Sequence, residues 1–277
     1  MVNAVTFAQL YSEARGQLPS AFEAEQLFCH VTGWHRHDLP QMGGQAVPDA
    51  LVQRLQGLCR RRTRGEPLQY LLGEWEFYGL PFFVGEGVLI PRADTETLVD
   101  AALAKAKSMG EGSLRILDLC SGSGAVAVAL AHHLPKAHVT AVELSETAFC
   151  YLRRNIAANR VAVEAVRADL YRYVPEDSFD IITANPPYIP SGELPALQQE
   201  VRLEPATALD GGEDGLAFYR GIARGYHPHL KPGGLLAVEI GMGQAPAVAE
   251  IFTRFAYRDL EEHQDLNGVV RVLSGFR

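Results

Sequence analysis

The chain has 277 residues, 47% hydrophobic and 21% charged, an ordinary globular composition with room for one large domain or two modest ones. Its net charge of −8 excludes the strongly basic footprint of a duplex-binding protein, a local patch aside. The cysteines, Cys29, Cys59, Cys120 and Cys150, form no C-x-x-C pair, which argues against a disulfide framework or a zinc cluster and suits a reducing compartment. Met1-Val2-Asn3-Ala4 begins no signal-peptide pattern, and no apolar run approaches the ~20 residues that span a bilayer. A soluble cytoplasmic protein is expected.

Up to about Gly73 the pattern is helical. Phe7, Leu10, Tyr11, Ala14 and Leu18 recur at helical spacing. Ser20 with Glu23 is a capping-box signature, followed by Phe22, Leu27, Phe28 and Val31 as apolar positions. Pro48 stands where a first helical residue would, and Leu51, Leu55, Leu58 and Cys59 share one face behind it. That helix ends in Arg60, Arg61, Arg62 and Arg64, a solvated end that complements the helix dipole or a patch for a partner. The segment carries no catalytic motif. Aromatic and β-branched runs around Gly79-Leu80-Pro81 then predict a β-hairpin within 74–90.

From Val88-Leu89-Ile90-Pro91-Arg92-Ala93-Asp94-Thr95-Glu96 onward, strands and helices alternate. A helix runs through Leu98, Val99 and Ala102 to Gly110. Strands are predicted at 114–119, 139–144, 161–166, 179–183, 235–240 (after the turn Pro232-Gly233-Gly234) and 269–273, with helices at 125–132, 146–159 and 244–255. Interleaving of this kind gives an α/β, doubly wound, mostly parallel sheet covered on both faces.

Two loops at strand ends carry the chemistry. The first strand runs into Cys120-Ser121-Gly122-Ser123-Gly124, where glycines allow close backbone approach to a ligand and a helix N-terminus follows. Glu143 ends the next strand and can accept both hydrogens of a ribose diol. The spacing also fits a dinucleotide fingerprint, so a nicotinamide oxidoreductase competes with an S-adenosylmethionine enzyme on this loop alone. Asp169 follows the third strand, as an acceptor for an exocyclic adenine amine or as a turn cap. Asn185-Pro186-Pro187-Tyr188 ends the fourth. Two prolines stiffen that loop. It can then present the Asn185 amide and the Pro186 carbonyl as paired acceptors for a planar NH2 group, with Tyr188 stacked beside it. A dehydrogenase has no need of such a pair. The histidine pairs His35/His37, His132/His133 and His227/His229 are too close in sequence for a helical i, i+4 metal site, and no H-E-x-x-H or G-x-S-x-G occurs.

Asp118-Leu119-Cys120-Ser121-Gly122-Ser123-Gly124 with Asn185-Pro186-Pro187-Tyr188 resembles class I S-adenosylmethionine-dependent methyltransferases that act on planar NH2 groups. Glu66-Pro67-Leu68-Gln69-Tyr70, Val88-Leu89-Ile90-Pro91-Arg92, and Val201-Arg202-Leu203-Glu204-Pro205 with Ala208-Leu209-Asp210-Gly211-Gly212 narrow the resemblance to the bacterial release-factor glutamine methyltransferases. It extends from about Glu66 to the end of the chain. It implies a seven-stranded class I methyltransferase sheet after a small helical bundle. It also implies methylation of the glutamine amide in the Gly-Gly-Gln loop of peptide chain release factors, hence a part in translation termination.

The cofactor positions the resemblance implies are Cys120, Ser121, Gly122, Ser123, Gly124, Glu143, Asp169, Leu170 and Asn185. The substrate positions are Asn185, Pro186, Pro187 and Tyr188, with Arg92 on the rim; Asn185, Pro186 and Tyr188 are the catalytic set, and no metal is expected. Cys120 stands where many members have glycine, Ala93 where many have proline, and Leu170 where some have an aromatic. The nearest alternatives are a glutamine methyltransferase for a ribosomal protein and an adenine-specific DNA methyltransferase. The domains expected are 1–73 as a helical unit that docks the protein substrate, 74–90 as a hairpin linker and 91–277 as the methyltransferase. The partners expected are release factors, with no DNA, no membrane and a monomeric state.

Overall fold

The computed structural model describes residues 5–110 and 112–277. The reading of Met1-Val2-Asn3-Ala4 lies outside them. The chain forms two compact units, one of residues 5–74 with Gln198–Leu203, the other of Trp75–Leu197 with Glu204–Arg277.

The first unit holds α1 (Phe7–Gln17), α2 (Ala21–Thr32), the short α3 (Leu39–Met42), α4 (Asp49–Thr63) and the short α5 (Leu68–Leu72). Its core is Leu10, Ala14, Leu27, Phe28, Leu55 and Leu58, the stripes that helical spacing predicts. The complete capping box belongs to Thr6 and Gln9 on α1. Ser20 caps α2 through the Glu23 N–H, but the Glu23 carboxylate turns elsewhere. It receives both Nε and Nη2 of Arg62, at 2.7 and 2.9 Å. Arg62 also donates to Glu200 at 2.6 Å and is only 6% exposed, while Arg61 pairs with Glu66 at 2.5 Å. The arginine cluster is therefore not a free patch: two of its members fasten this unit together. Phe22, the first of the apolar positions behind the cap, is 55% exposed. Pro48 is the N-cap of α4, one place ahead of the expected position.

Arg62→Met is expected to destabilise this unit by roughly 3 kcal/mol, the low end for a broken buried pair because Glu200 keeps contact with water. A lowered thermal midpoint with unchanged far-UV circular dichroism at low temperature is the readout. An unchanged midpoint would refute the fastening role.

The second unit opens at Trp75, in the hairpin of β1 (Glu74–Phe77) and β2 (Leu80–Phe83). Its two-residue turn is Tyr78-Gly79, with φ of 53° and 71°, the left-handed pair that matches strand twist. Leu80 and Pro81 are in the strand rather than the turn. Phe77 and Phe82 are buried in the second unit's core, so the hairpin is part of that unit.

There follow α6 (Glu96–Ser108), β3 (Arg115–Leu119), α7 (Ala125–His133), β4 (His138–Glu143), α8 (Glu146–Asn159), β5 (Val163–Arg167), β6 (Phe179–Ala184), α9 (Ala217–Tyr226), β7 (Leu230–Glu239), α10 (Ala245–Arg254), β8 (Arg258–Gln264) and β9 (Val270–Phe276). The seven strands lie in the order β5-β4-β3-β6-β7-β9-β8. The five from β5 to β7 are parallel, and β9 pairs antiparallel with β7 and β8. Successive residues face opposite sides. Ile116, Ile181, Leu235 and Val272 pack with α6 and α7, whereas Leu117, Ile182, Leu236 and Leu273 pack with α9 and α10.

Three features depart from the expected elements. Pro232-Gly233-Gly234 is an irregularity inside β7, where the register with β6 shifts, not a turn before it. The helix α9 went unread because Gly221 and Gly225 weaken its propensity, yet Tyr219, Ile222, Ala223 and Tyr226 are buried at helical spacing. The edge strand β8 also went unread because Arg258-Asp259-Leu260-Glu261-Glu262-His263 is polar on both faces, as suits an edge that must not pair further.

Candidate active site

The strand order reverses between β3 and β6, and open α/β sheets bind ligands at the carboxyl ends of strands at such a point. Asp118, 1% exposed, fastens it. Its Oδ1 accepts from the Thr183 hydroxyl of β6 at 2.8 Å, and its Oδ2 from the Ser121 hydroxyl at 2.7 Å. Burial pushes the Asp118 carboxyl up to about 6, against the pull of these two donors. Past it the chain turns through Cys120, Gly122 and Gly124, with φ of 57°, 57° and 85°. At Gly124 the backbone demands glycine, and a Cβ would also press on Leu152 Cδ1, 2.5 Å away. The side chain of Asn155, on α8, donates to the Ser123 carbonyl at 2.8 Å and brackets Phe83 with both its amide groups. Cys120 holds a left-handed conformation that costs a non-glycine residue ~1–2 kcal/mol; its side chain packs against the core beside Leu117 and Leu119.

The Glu143 carboxylate is pinned at the end of β4. Oε2 accepts from the Gly122 N–H at 2.8 Å and Oε1 from the Ser145 N–H at 2.7 Å. Each oxygen keeps a lone pair. Burial raises its pKa, and the backbone donors partly offset that. Asp169 lines the same cavity, while its Oδ1 caps the Tyr171 N–H at 2.9 Å. Leu170 is buried, with its carbonyl accepting from Tyr226 at 2.8 Å. The aromatic surface lies one residue further on. Tyr171 is 56% exposed and its ring centroid stands 5.8 Å from that of Phe218.

The Asn185-Pro186-Pro187-Tyr188 loop leaves β6 and is zipped to the stretch after Leu209. The Ile189 N–H donates to Leu209 O at 3.0 Å, and the Gly211 N–H to Ile189 O at 2.8 Å. Gln244 Nε2 holds the Tyr188 carbonyl at 2.9 Å. A Cβ on Gly211 would stand 2.8 Å from the Tyr188 backbone, so this close approach needs glycine. Asn185 Nδ2 donates to Thr95 Oγ1 at 3.2 Å. Burial pushes the Tyr188 hydroxyl up to about 12, so it is neutral near pH 7. Arg92 is ion-paired to Glu204, which also accepts from the Ile90 N–H at 3.0 Å.

A cavity of about 480 Å³ is lined by Cys120, Gly122, Glu143, Asp169, Leu170, Asn185 and Pro187 among the expected residues, and by Leu144, Tyr171 and Phe218 among those not expected. A recess of about 40 Å³, sharing Cys120, Gly122 and Asn185 with it, takes in Arg92, Ser121 and Ser123. Gly124, Pro186 and Tyr188 line neither: Gly124 caps α7, and the Pro186 side chain is buried. Among the described residues, no cluster of three or more histidine, cysteine, aspartate or glutamate side chains could hold a metal, and no helix is long and apolar enough to cross a membrane.

A family model described as the methyltransferase small domain matches residues 95–212, and one described as the PrmC N-terminal domain matches residues 5–73. A methyltransferase structure from Pyrococcus furiosus is similar at a TM-score of 0.54 and 22% identity, over 72% of this chain and 90% of that one. Sheet order and these matches place the second unit in the methyltransferase fold class. The release factor glutamine methyltransferase of Geobacter sulfurreducens is 42% identical over 96% of this chain and 92% of its own length. That of Salmonella typhimurium is 39% identical, covering 91% of each chain. The chain belongs to the release factor glutamine methyltransferase family.

Proposed function

We propose that this protein transfers a methyl group from S-adenosyl-L-methionine to the side-chain amide nitrogen of the glutamine in the Gly-Gly-Gln loop of cytoplasmic peptide chain release factors. The observation that carries the reading is Asn185, tied to Thr95 through its NH2 so that Oδ1 is left as an acceptor at the cavity wall. The cavity volume falls in the range of small-molecule sites, and its donors and acceptors suit the cofactor. Glu143 would take the ribose diol and Asp169 the adenine amine. Leu170 and the exposed Tyr171–Phe218 pair would flank the base, and the turn from Cys120 to Gly124 would pass beside the amino-acid end. When bound, the cofactor supplies an electrophilic methyl on a sulfonium centre.

The rest falls to the chain's own residues. An amide nitrogen is a weak nucleophile because its lone pair is delocalised into the carbonyl. Asn185 Oδ1 and the Pro186 carbonyl accept its two hydrogens and hold it in line. Alignment of two reactants can lower a barrier by roughly 7–11 kcal/mol. The same acceptors stabilise positive charge growing on nitrogen, and they need no rearrangement to do so. Tyr188, neutral, packs on the amide plane and is no base. The alkylated amide sheds its proton readily, so no strong base is assigned. Arg92, engaged by Glu204, shapes the rim. The helical unit, which has no chemistry of its own, is assigned to docking the protein substrate.

The test is methyl transfer from labelled cofactor to an intact release factor, to its Gln→Ala variant, to a short Gly-Gly-Gln peptide and to duplex DNA. Label is expected in the intact factor and absent from the variant and from DNA. DNA would need a flipped base and a positive groove for its phosphates. Label in DNA or in the variant would overturn the substrate. A peptide methylated as efficiently as the intact factor would overturn the docking role.

A further inference from the structure

Beneath the Asn185 loop lies a carboxylate that the reaction as described does not use. Glu239 ends β7 and is 3% exposed. The Thr95 hydroxyl and the Asn185 amide lie close enough to draw its pKa down, but Oε2, sealed from solvent, has no hydrogen-bond partner. No cation is committed to it: the nearby Arg271 is held by Asp94 at 2.9 Å and Asp265 at 3.1 Å. Tyr219 donates to the Glu239 backbone carbonyl, not to its carboxylate. A buried, underpaired carboxylate is a poor stabilising device. Its position relative to Thr95 and Asn185 gives it another use.

We propose that Glu239, acting through Thr95, is the positioning residue that fixes which end of the Asn185 amide faces the substrate. This rests on the assignment of Asn185 as the acceptor in the reaction above. An ionised carboxylate can only accept. With the carboxylate facing it, the Thr95 hydroxyl is favoured to point its single proton that way, which leaves Thr95 Oγ1 to accept the Asn185 NH2 hydrogen it holds at 3.2 Å. The nearness of the carboxylate to the Asn185 amide favours the same choice. Oδ1 is thereby held toward the incoming nitrogen. With the amide flipped, its NH2 would meet the substrate NH2, donor against donor.

The switch that breaks this order is protonation. The groups facing the carboxyl are Asp94, which raises its pKa, Arg271, which lowers it, and the neutral Tyr188 and Tyr219. Burial dominates and pushes it up to about 7. Below that pH the carboxyl can donate to Thr95 Oγ1 or Asn185 Oδ1, and the orientation is released. Turnover should therefore fall as pH falls through about 7, in the direction opposite to loss of an acid catalyst.

The experiment compares wild type with E239L, E239Q, T95S and T95V. It measures kcat and KM on an intact release factor against pH, and asparagine-selective ¹⁵N spectra of the Asn185 side chain. E239L and T95V are expected to lose ~10–100-fold in kcat, somewhat less than direct removal of a preorganised partner. KM for the release factor and cofactor affinity should stay within about twofold, and E239L should be at least as stable as wild type because a buried charge is gone. T95S keeps the hydroxyl and should stay near wild type. E239Q keeps one acceptor oxygen, so it should retain intermediate activity without the pH dependence. The Asn185 NH2 signals should titrate in wild type and not in E239Q. Wild-type kcat in E239L, or a wild-type pH profile in E239Q, would overturn the proposal; should E239L fail to fold, T95V is read the same way. If wild type methylates no release factor, the substrate reading fails by itself. The Asn185 spectra then decide this one, and signals indifferent to pH in wild type and to E239L would overturn it.

Discussion

Asn185→Ala should lower the rate of methyl transfer by ~100-fold or more, the loss seen when one preorganised partner is removed from an oxyanion-type site. Cofactor affinity should be nearly unchanged, because the cavity is walled mainly by β4, the loop after β5 and the turn after β3. The fold should survive as well. The loop is held through backbone groups at Tyr188, Ile189 and Gly211, none of which belongs to Asn185. Single-turnover kinetics with saturating cofactor, beside calorimetry of cofactor binding, checks both halves. Near-normal turnover would reduce the loop to a structural element.

The second large effect is on binding. Glu143→Ala removes two charge-assisted hydrogen bonds to a ribose diol, each worth ~1.5–3 kcal/mol. Together that is about two to four orders of magnitude in Kd at 1.4 kcal/mol per tenfold. It also strips the Gly122 and Ser145 N–H groups of their acceptor, so part of the loss would be disorder in the glycine turn. Glu143→Gln separates the two contributions. It keeps an oxygen for one partner and should fall between wild type and the alanine variant. A Glu143→Ala protein with wild-type affinity would remove this carboxylate from the cofactor site.

The sheet was legible because its strands are apolar runs closed by loops with strong local chemistry. Glu143 stood out as an acid ending such a run, at the right distance from a glycine turn. Glu239 carries the same signal, an acid ending Leu235-Leu236-Ala237-Val238, but no motif brackets it. Its meaning depends on Thr95 and Asn185, which the fold alone brings to it. Tyr171 was hidden by its neighbour. Sequence drew attention to Leu170 as a substitution for an aromatic, whereas the structure buries Leu170 and sets an aromatic face at the next position. The polar strand β8 and the glycine-bearing helix α9 are cases in which tertiary packing overrides weak local propensity. Arg62 shows the opposite error: four arginines within five residues suggest a surface, and only the fold supplies the buried partner, Glu23, that absorbs one of them.

The close packing of Gly211 on the Tyr188 backbone bears on how such an enzyme can change its target over evolutionary time. A Cβ at that position collides with main chain, and main chain cannot step aside as a flexible side chain would. On the function proposed above, the Asn185 loop is a fixed tool whose shape is guarded by the glycine packed beneath it. Divergence toward a different NH2-bearing target has little freedom there. It must proceed through the parts that tolerate substitution: the exposed rim at Tyr171 and the solvent-facing positions of the helical unit. Lineages that exchange substrates should accordingly differ in those surroundings while keeping the loop and its glycine, and a saturation-mutagenesis map of this chain should show the same division between an intolerant loop and permissive walls.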